Sequence, residues 1–268
     1  VKACHERGLA VFVDVVHNHY GPSDLALWQF DGWSQNGKGG IYFYNDSKSS
    51  TMWGETRPDY GRPEVRQYIH DSIQMLLGEY RVDGFRWDSV YSMLYANSGS
   101  TFLPDAANLL RDINWMMATQ YPGRIRIAED HAYDANMNFD GQWDVGFHDH
   151  LQWQVTRGSD SERNMNWLGD RIYGAHNRVI YSESHDTAGD LNNKYRLPRY
   201  IDSANPWSIW ARKRQLLAQG IVMTAAGIPM IFQGQEMNED WTFSSSTSLR
   251  WELTNTWKGI VRAYTDLV

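Results

Sequence analysis

The chain has 268 residues, with 25 Lys plus Arg against 32 Asp plus Glu and a formal net charge of -7. That length suits one large domain with a substantial core, and the lack of a basic tract excludes nucleic acid and anionic membrane surfaces as expected partners. The 13 Trp and 15 Tyr fill core in the main, but flat rings also stack on the apolar faces of sugars, so the excess favours a neutral carbohydrate. The single cysteine, Cys4, rules out an internal disulfide and fits a reducing, cytoplasmic setting. No apolar run approaches the roughly 18 residues of a membrane span.

Val1–Arg7 reads as the tail of a helix stopped by Gly8, an opening that suggests a piece of a longer chain. Leu9–Val16 reads as a nearly all-apolar strand, of the kind covered on both faces in a parallel sheet. It contains Asp14 and lacks a small-residue cleavage site, so it is no signal peptide. His17 to Arg62 is polar, rich in Gly, Ser, Asn and Trp, and too long for a plain connection; it reads as an inserted functional loop or short subdomain. Pro63 then opens a helix to Tyr80, with Glu64 near its positive end. Arg81–Asp88 reads as a strand, Ser89–Tyr121 as mixed helix and loop, and Arg124–Ala128 as a strand. Gln142–His148 is a weaker strand, Glu162–Tyr173 a helix and Arg178–Glu183 a strand. Trp207–Ala218 is a helix, Ile228–Gln233 a last strand and Thr256–Leu267 a last helix. About six strand–helix repeats imply a parallel α/β sheet, open or closed. No glycine-rich nucleotide fingerprint follows the first strand.

Polar residues recur where the strands should end: Asp14, His17 and His19; Gly84-Phe85-Arg86-Trp87-Asp88; Glu129-Asp130; and Glu183-Ser184-His185-Asp186. In a parallel barrel such ends converge on one face. Asp88, Glu129 and Asp186, with an Arg and two His, suit glycosyl transfer, in which one carboxylate attacks and another delivers a proton. The alternating pairs His17/His19 and His148/His150 supply too few ligands for a zinc site, and no HExxH is present, so no metal is expected to take part in the chemistry.

These four segments, in this order, resemble the signature regions of glycoside hydrolase family 13, the α-amylase superfamily, and the resemblance covers nearly the whole chain. It implies a TIM (β/α)8 catalytic barrel entered at its second helix, so that strands three to eight are present and the first two are not. Residues 1–268 would then form one partial barrel with an insertion at about 17–62. By the resemblance, Asp88 matches the nucleophile, Glu129 the general acid/base, and Asp186 the carboxylate that grips the sugar's 2- and 3-hydroxyls. Arg86 would hold Asp88 ionised, His19 and His185 would hydrogen-bond the sugar, and Asp14 would support the site. Trp53 is a candidate binding residue, and Trp28, Trp33, Tyr44 and Trp87 are further candidates for stacking on glucan. The family's structural calcium, which many α-amylases ligate with the Asn of this motif, would fall to Asn18, although the inserted loop has no acidic cage. No other cofactor is implied; the implied partner is α-glucan.

Which acceptor takes the sugar is open at this level. The run LGEYRVDGFRWDSVYSMLY over residues 77–95 resembles branching enzymes, as do Tyr42-Phe43-Tyr44 and Asp59-Tyr60-Gly61. Branching enzymes commonly have Ser at Asn18 and Gln or Glu at Thr187. Asn18 followed by Tyr20-Gly21-Pro22 is closer to the trehalose-releasing hydrolases of the superfamily. Branching transfer, hydrolysis of α-1,4-glucan or maltooligosyltrehalose, and an inert barrel fragment are the three readings, in that order.

Overall fold

The computed structural model describes residues 1–21, 26–129, 135–173, 177–189 and 194–268. The chain divides into two compact units, Val1–Trp143 and Asp144–Val268, each built around its own hydrophobic cluster.

In the first unit, helix α1 (Lys2–His5) gives way to strand β1 (Phe12–Val15). A long irregular segment follows, with a small core of Tyr20, Leu27 and Phe43. Helix α2 (Pro63–Gly78) starts at a proline, which loses nothing where no intrahelical partner exists. It buries Val65, Ile69, Ile73 and Leu77, a strict four-residue stripe. Each such side chain contributes about 1.5–3 kcal/mol on burial. Strand β2 (Gly84–Trp87), helix α3 (Val90–Leu94) and the short antiparallel pair β3 (Tyr95–Ala96) and β4 (Thr101–Phe102) come next. Helix α4 (Pro104–Gln120) leads to β5 (Ile125–Ala128), then β6 (Gly141–Trp143). The parallel order is β1-β2-β5-β6.

Register is tight at Gly84, where a Cβ would lie 2.4 Å from the Ile125 carbonyl oxygen and 2.5 Å from the Phe12 ring. Arg126 clamps β5 to the segment before β6: its Nε and Nη2 reach the two oxygens of Asp140 at 2.8 and 2.5 Å. Strand β1 is shorter than Leu9–Val16 and is not covered on both faces. It stands at the end of the strand order, with Leu9 57% and Phe12 40% exposed.

The second unit holds α5 (Val145–Thr156), α6 (Met165–Tyr173), β7 (Arg178–Ile180), α7 (Leu197–Ile201), α8 (Ile209–Thr224), β8 (Ile228–Pro229), α9 (Leu253–Thr256) and α10 (Lys258–Leu267). Strands β7 and β8 pair in parallel. The expected strand Gln142–His148 is corrected here: the strand stops at Trp143 and helix α5 begins. The Asp144 carboxylate caps that helix, accepting from the Phe147 N–H at 2.9 Å. Phe147, Leu151 and Val155 then fall on one buried face at helical spacing. The helix expected from Glu162 likewise begins later, at Met165, after a 3-10 turn over Asp160–Glu162. The helix expected over Trp207–Ala218 starts at Ile209, where Ser208 caps it, and runs on to Thr224. The strand expected over Ile228–Gln233 is confined to Ile228–Pro229. Among the described residues no helix is long and apolar enough to cross a membrane.

Candidate active site

The parallel strands of the first unit deliver their C-terminal residues to one edge. Asp14 pairs in register with Arg86 across β1 and β2. Asp88 follows β2 and Glu129 follows β5, and their backbone N–H groups continue the ladder to Val15 and Trp87 carbonyls at 3.0 and 2.9 Å. Three strands thus bring three carboxylates around one guanidinium.

Arg86 is buried, with its side chain 6% exposed. Its Nη1 donates to both oxygens of Asp14 at 2.8 and 2.9 Å and to Asp88 Oδ1 at 2.8 Å. Its Nη2 stands 2.7 Å from Glu129 Oε2. Trp143 lies under the cation, 4.4 Å from ring centroid to guanidinium carbon. Burial works against the charge on Arg86, but Glu129, Asp14 and Asp88 together outweigh it and hold the guanidinium above its usual range. Since one guanidinium touches both Asp88 and Glu129, the two carboxylates are kept within its span and two short contacts.

Each carboxylate has a further anchor. Asn18, fully buried, donates its amide to the Asp88 carbonyl at 2.7 Å and to Asp88 Oδ2 at 2.8 Å. Its Oδ1 meets His19 Nδ1. As placed, both ends of the Asn18 amide are engaged by protein groups. Glu129 Oε2 accepts from the Ser89 N–H at 2.9 Å. Ser89 holds a left-handed conformation, φ 38 and ψ 62, unusual for a residue with a Cβ. The kink turns its N–H toward Glu129, while the next N–H, Val90, donates to the Glu129 carbonyl at 2.9 Å.

His19 lies beside this cluster, stacked on Trp53 with ring centroids 4.4 Å apart and planes 9° from parallel. Burial holds its imidazole below the usual range; Asp88 opposes that shift and Arg57 adds to it. Trp53 keeps 47% of its surface exposed. His17 is buried away from solvent and pushed down to about 4 by that burial.

In the second unit, His185 and Asp186 form a half-exposed pair, Nε2 to Oδ2 3.3 Å. The turn that carries them is tied by Ser184 and Thr187, with the Ser184 N–H donating to Thr187 Oγ1 at 2.7 Å. Glu183, close by in sequence, faces the interior instead. It is 2% exposed, paired with Arg196 at 3.1 Å, and burial raises its pKa against the pull of that cation.

Several aromatic candidates are placed elsewhere. Trp87 is fully buried between Phe85 and Phe139 and cannot meet a ligand, because β2 is covered on both faces. Tyr44 is buried against Tyr60, and Trp28 packs on Phe43. Trp33 is exposed. His148 and His150 turn to different partners, Tyr181 and Trp167. Among the described residues no group of three or more His, Cys, Asp and Glu is arranged for a metal ion. Asp130 and Pro22 lie outside the described residues. The sequence reading missed the anchoring roles of Asn18 and Ser89 and the cover given by Trp143.

No family model matches the chain. Among curated proteins it is similar to the 1,4-alpha-glucan branching enzyme GlgB of Dechloromonas aromatica, 27% identical over 94% of this chain and 43% of that one. The enzyme of the same name from Bacillus caldolyticus is 29% identical over 94% of this chain and 39% of that one. The chain therefore spans less than half the length of these relatives. Among solved structures it resembles a pullulanase from Paenibacillus barengoltzii in complex with maltohexaose and alpha-cyclodextrin. The TM-score is 0.75 at 21% identity, over all of this chain and 45% of that one. A pullulanase complexed with maltotetraose from Anoxybacillus sp. LM18-11 gives 0.71 at 20% identity, over all of this chain and 41% of that one. At those identities the structural likeness concerns the fold. In sequence the chain is thus similar to proteins named as 1,4-alpha-glucan branching enzymes, and in fold it resembles pullulanases.

Proposed function

We propose that this chain is the larger part of a (β/α)8 catalytic barrel, strands three to eight, from a retaining 1,4-α-glucan branching enzyme. The observation that carries the reading is the single buried guanidinium of Arg86 shared by Asp14, Asp88 and Glu129. A retaining pair needs its carboxyls about 5–5.5 Å apart, and a shared cation keeps such a pair close.

Asp88 attacks the anomeric carbon of an α-1,4-linked glucose as Glu129 gives its proton to the departing glycosidic oxygen. The C–O bond breaks and a β-linked glycosyl ester forms on Asp88. Glu129, now a carboxylate, takes the proton from a 6-hydroxyl of an acceptor chain, whose oxygen displaces Asp88. The product is an α-1,6 link. Asp186 grips the 2- and 3-hydroxyls of the reacting sugar, His19 and His185 hydrogen-bond it, and Trp53 offers a stacking face. Asp14 braces Arg86 from the rear. The partner is α-glucan, glycogen or starch, in the cytoplasm, with no metal or cofactor in the chemistry.

Hydrolysis is the second reading, favoured by Asn18 and Thr187, which depart from the branching pattern. Amylose incubated with the protein, followed by iodine colour and reducing ends in one tube, separates the two. Colour loss with few new reducing ends and new α-1,6 links is the expected result. Reducing ends rising in step with colour loss would make water the acceptor. No change in either would leave the chain an inert fragment.

A further inference from the structure

A cleft opens in the first unit, about 660 Å³ in volume, between the loop around Trp33–Lys48, the turn Asp59–Arg62 and the start of α4. None of its lining residues belongs to the Arg86 cluster or its anchors. Its size lies within the range of small-ligand pockets. Two large aromatic rings, Trp33 and Phe102, line it and remain 42% and 46% exposed.

The walls are held in place before any ligand arrives. Asn45 ties its loop at four points. Its Nδ2 donates to the Gly40 and Phe43 carbonyls at 2.8 and 2.7 Å. Its Oδ1 accepts from the Gly40 and Gln35 N–H groups at 3.1 and 3.3 Å. Arg62 stands over the Trp33 ring at 5.5 Å and is itself held by Asp59 at 3.1 Å. On the floor, Gly61 leaves room between two carboxylates: a Cβ there would lie 3.1 Å from Asp59 Oδ1 and 3.6 Å from Asp105 Oδ2. Asp59 is itself held, accepting from the Gly61 N–H at 3.0 Å and from Arg62, while the Asp105 carboxylate is half-exposed. A fixed aromatic wall beside one open carboxylate acceptor is a preorganised surface for a ring with one apolar face and a rim of hydroxyl donors.

Charge narrows the ligand class. The cations of the cleft are already engaged, Arg62 with Asp59 and Lys48 with Asp46 at 3.1 Å in each pair. Asp105 stands 4.0 Å from Arg66. The lining thus carries three carboxylates, Asp46, Asp59 and Asp105, against two cations, Lys48 and Arg62, a balance that repels an anion and leaves a neutral polyol unaffected. We infer that this cleft is a second α-glucan-binding site, in which Trp33 and Phe102 stack on sugar rings and Asp105 accepts from their hydroxyls. It holds a strand of the polymer apart from the reacting bond. The choice of glucan over another neutral polyol rests on the function proposed above.

The test is electrophoresis of the chain through gels with and without amylopectin, with Trp33→Ala, Phe102→Ala and Glu129→Gln run beside it and folding checked by circular dichroism. Transfer on maltoheptaose is assayed in the same samples. Retardation of the native chain should weaken about tenfold in each aromatic variant and persist in Glu129→Gln. Activity on the short maltoheptaose should persist in Trp33→Ala. Should Trp33→Ala fail to fold, Phe102→Ala carries the comparison. Native-like retardation in the folded aromatic variants, or no retardation of the native chain, would overturn the inference. Retardation that depends on Trp33 in a chain with no activity on maltoheptaose would uphold the site and reject the proposed reaction.

Discussion

Asn18 grips Asp88 at two points, carbonyl and carboxylate, across 70 residues of sequence. With Arg86 on the other carboxylate oxygen, neither oxygen of Asp88 is free to turn. Asn18→Ala is therefore expected to lower kcat by about 10- to 100-fold through lost orientation, with KM little changed. A comparable fall in KM-governed binding with kcat intact would place Asn18 in substrate contact instead.

The two proposed catalytic carboxylates are expected to fail differently. Asp88→Asn and Glu129→Gln should each lower transfer on amylose by at least about a thousandfold. With maltosyl fluoride, whose leaving group needs little proton help, Glu129→Gln should still form the glycosyl ester and accumulate it. Mass spectrometry of the trapped protein checks this: a maltosyl adduct on the Asp88 peptide is expected in Glu129→Gln, and none in Asp88→Asn. An adduct on another carboxylate would reassign the nucleophile.

Arg86→Met removes the cation and leaves Asp14, Asp88 and Glu129 facing one another. Asp14 and Glu129 have side chains 45% and 27% exposed, so solvent softens their repulsion. A loss of about 3 kcal/mol at pH 7 is expected, shrinking as the carboxylates are protonated in acid. Urea titrations at pH 7 and pH 4 provide the measurement; an equal loss at both would show that packing on Trp143, not charge, is what the arginine supplies.

His17 makes stability depend on pH in a defined direction. Its folded pKa is about 4 against 6.5 for a free imidazole. Unfolding frees it to take up a proton between those values, so the unfolded state gains as pH falls. The contribution is complete above about 6.5 and is lost as pH drops through 4, an effect on the order of 3 kcal/mol. His17→Gln should be less sensitive to acid than the native chain in chemical denaturation at pH 7 and pH 4.5. Matching slopes for the two proteins would assign the acid sensitivity elsewhere.

What could be read in the sequence was what depends on local pattern. The stripe of Val65, Ile69, Ile73 and Leu77 announces α2, and the apolar runs ending in Asp88 and Glu129 announce β2 and β5. The alternating Gln142–His148 misled because one side chain, Asp144, converts a strand-like run into a capped helix. Trp87 looked like a sugar platform because the sequence does not say that both faces of β2 are covered. Asn18, Ser89 and Trp143 act through partners tens of residues away or through an uncommon backbone angle, and neither leaves a mark in the local pattern.

The hub at Arg86 also has a consequence for how the molecule comes into being. Asp14, Asp88 and Glu129 ride on separate strands, and synthesis delivers Glu129 last. A nascent chain halted before β5 would carry the guanidinium with one of its three counter-charges missing. The cluster thus acts as a latch that closes only when three strands have found their neighbours, so the pairing of the buried charge and the completion of this part of the sheet arrive in a single step.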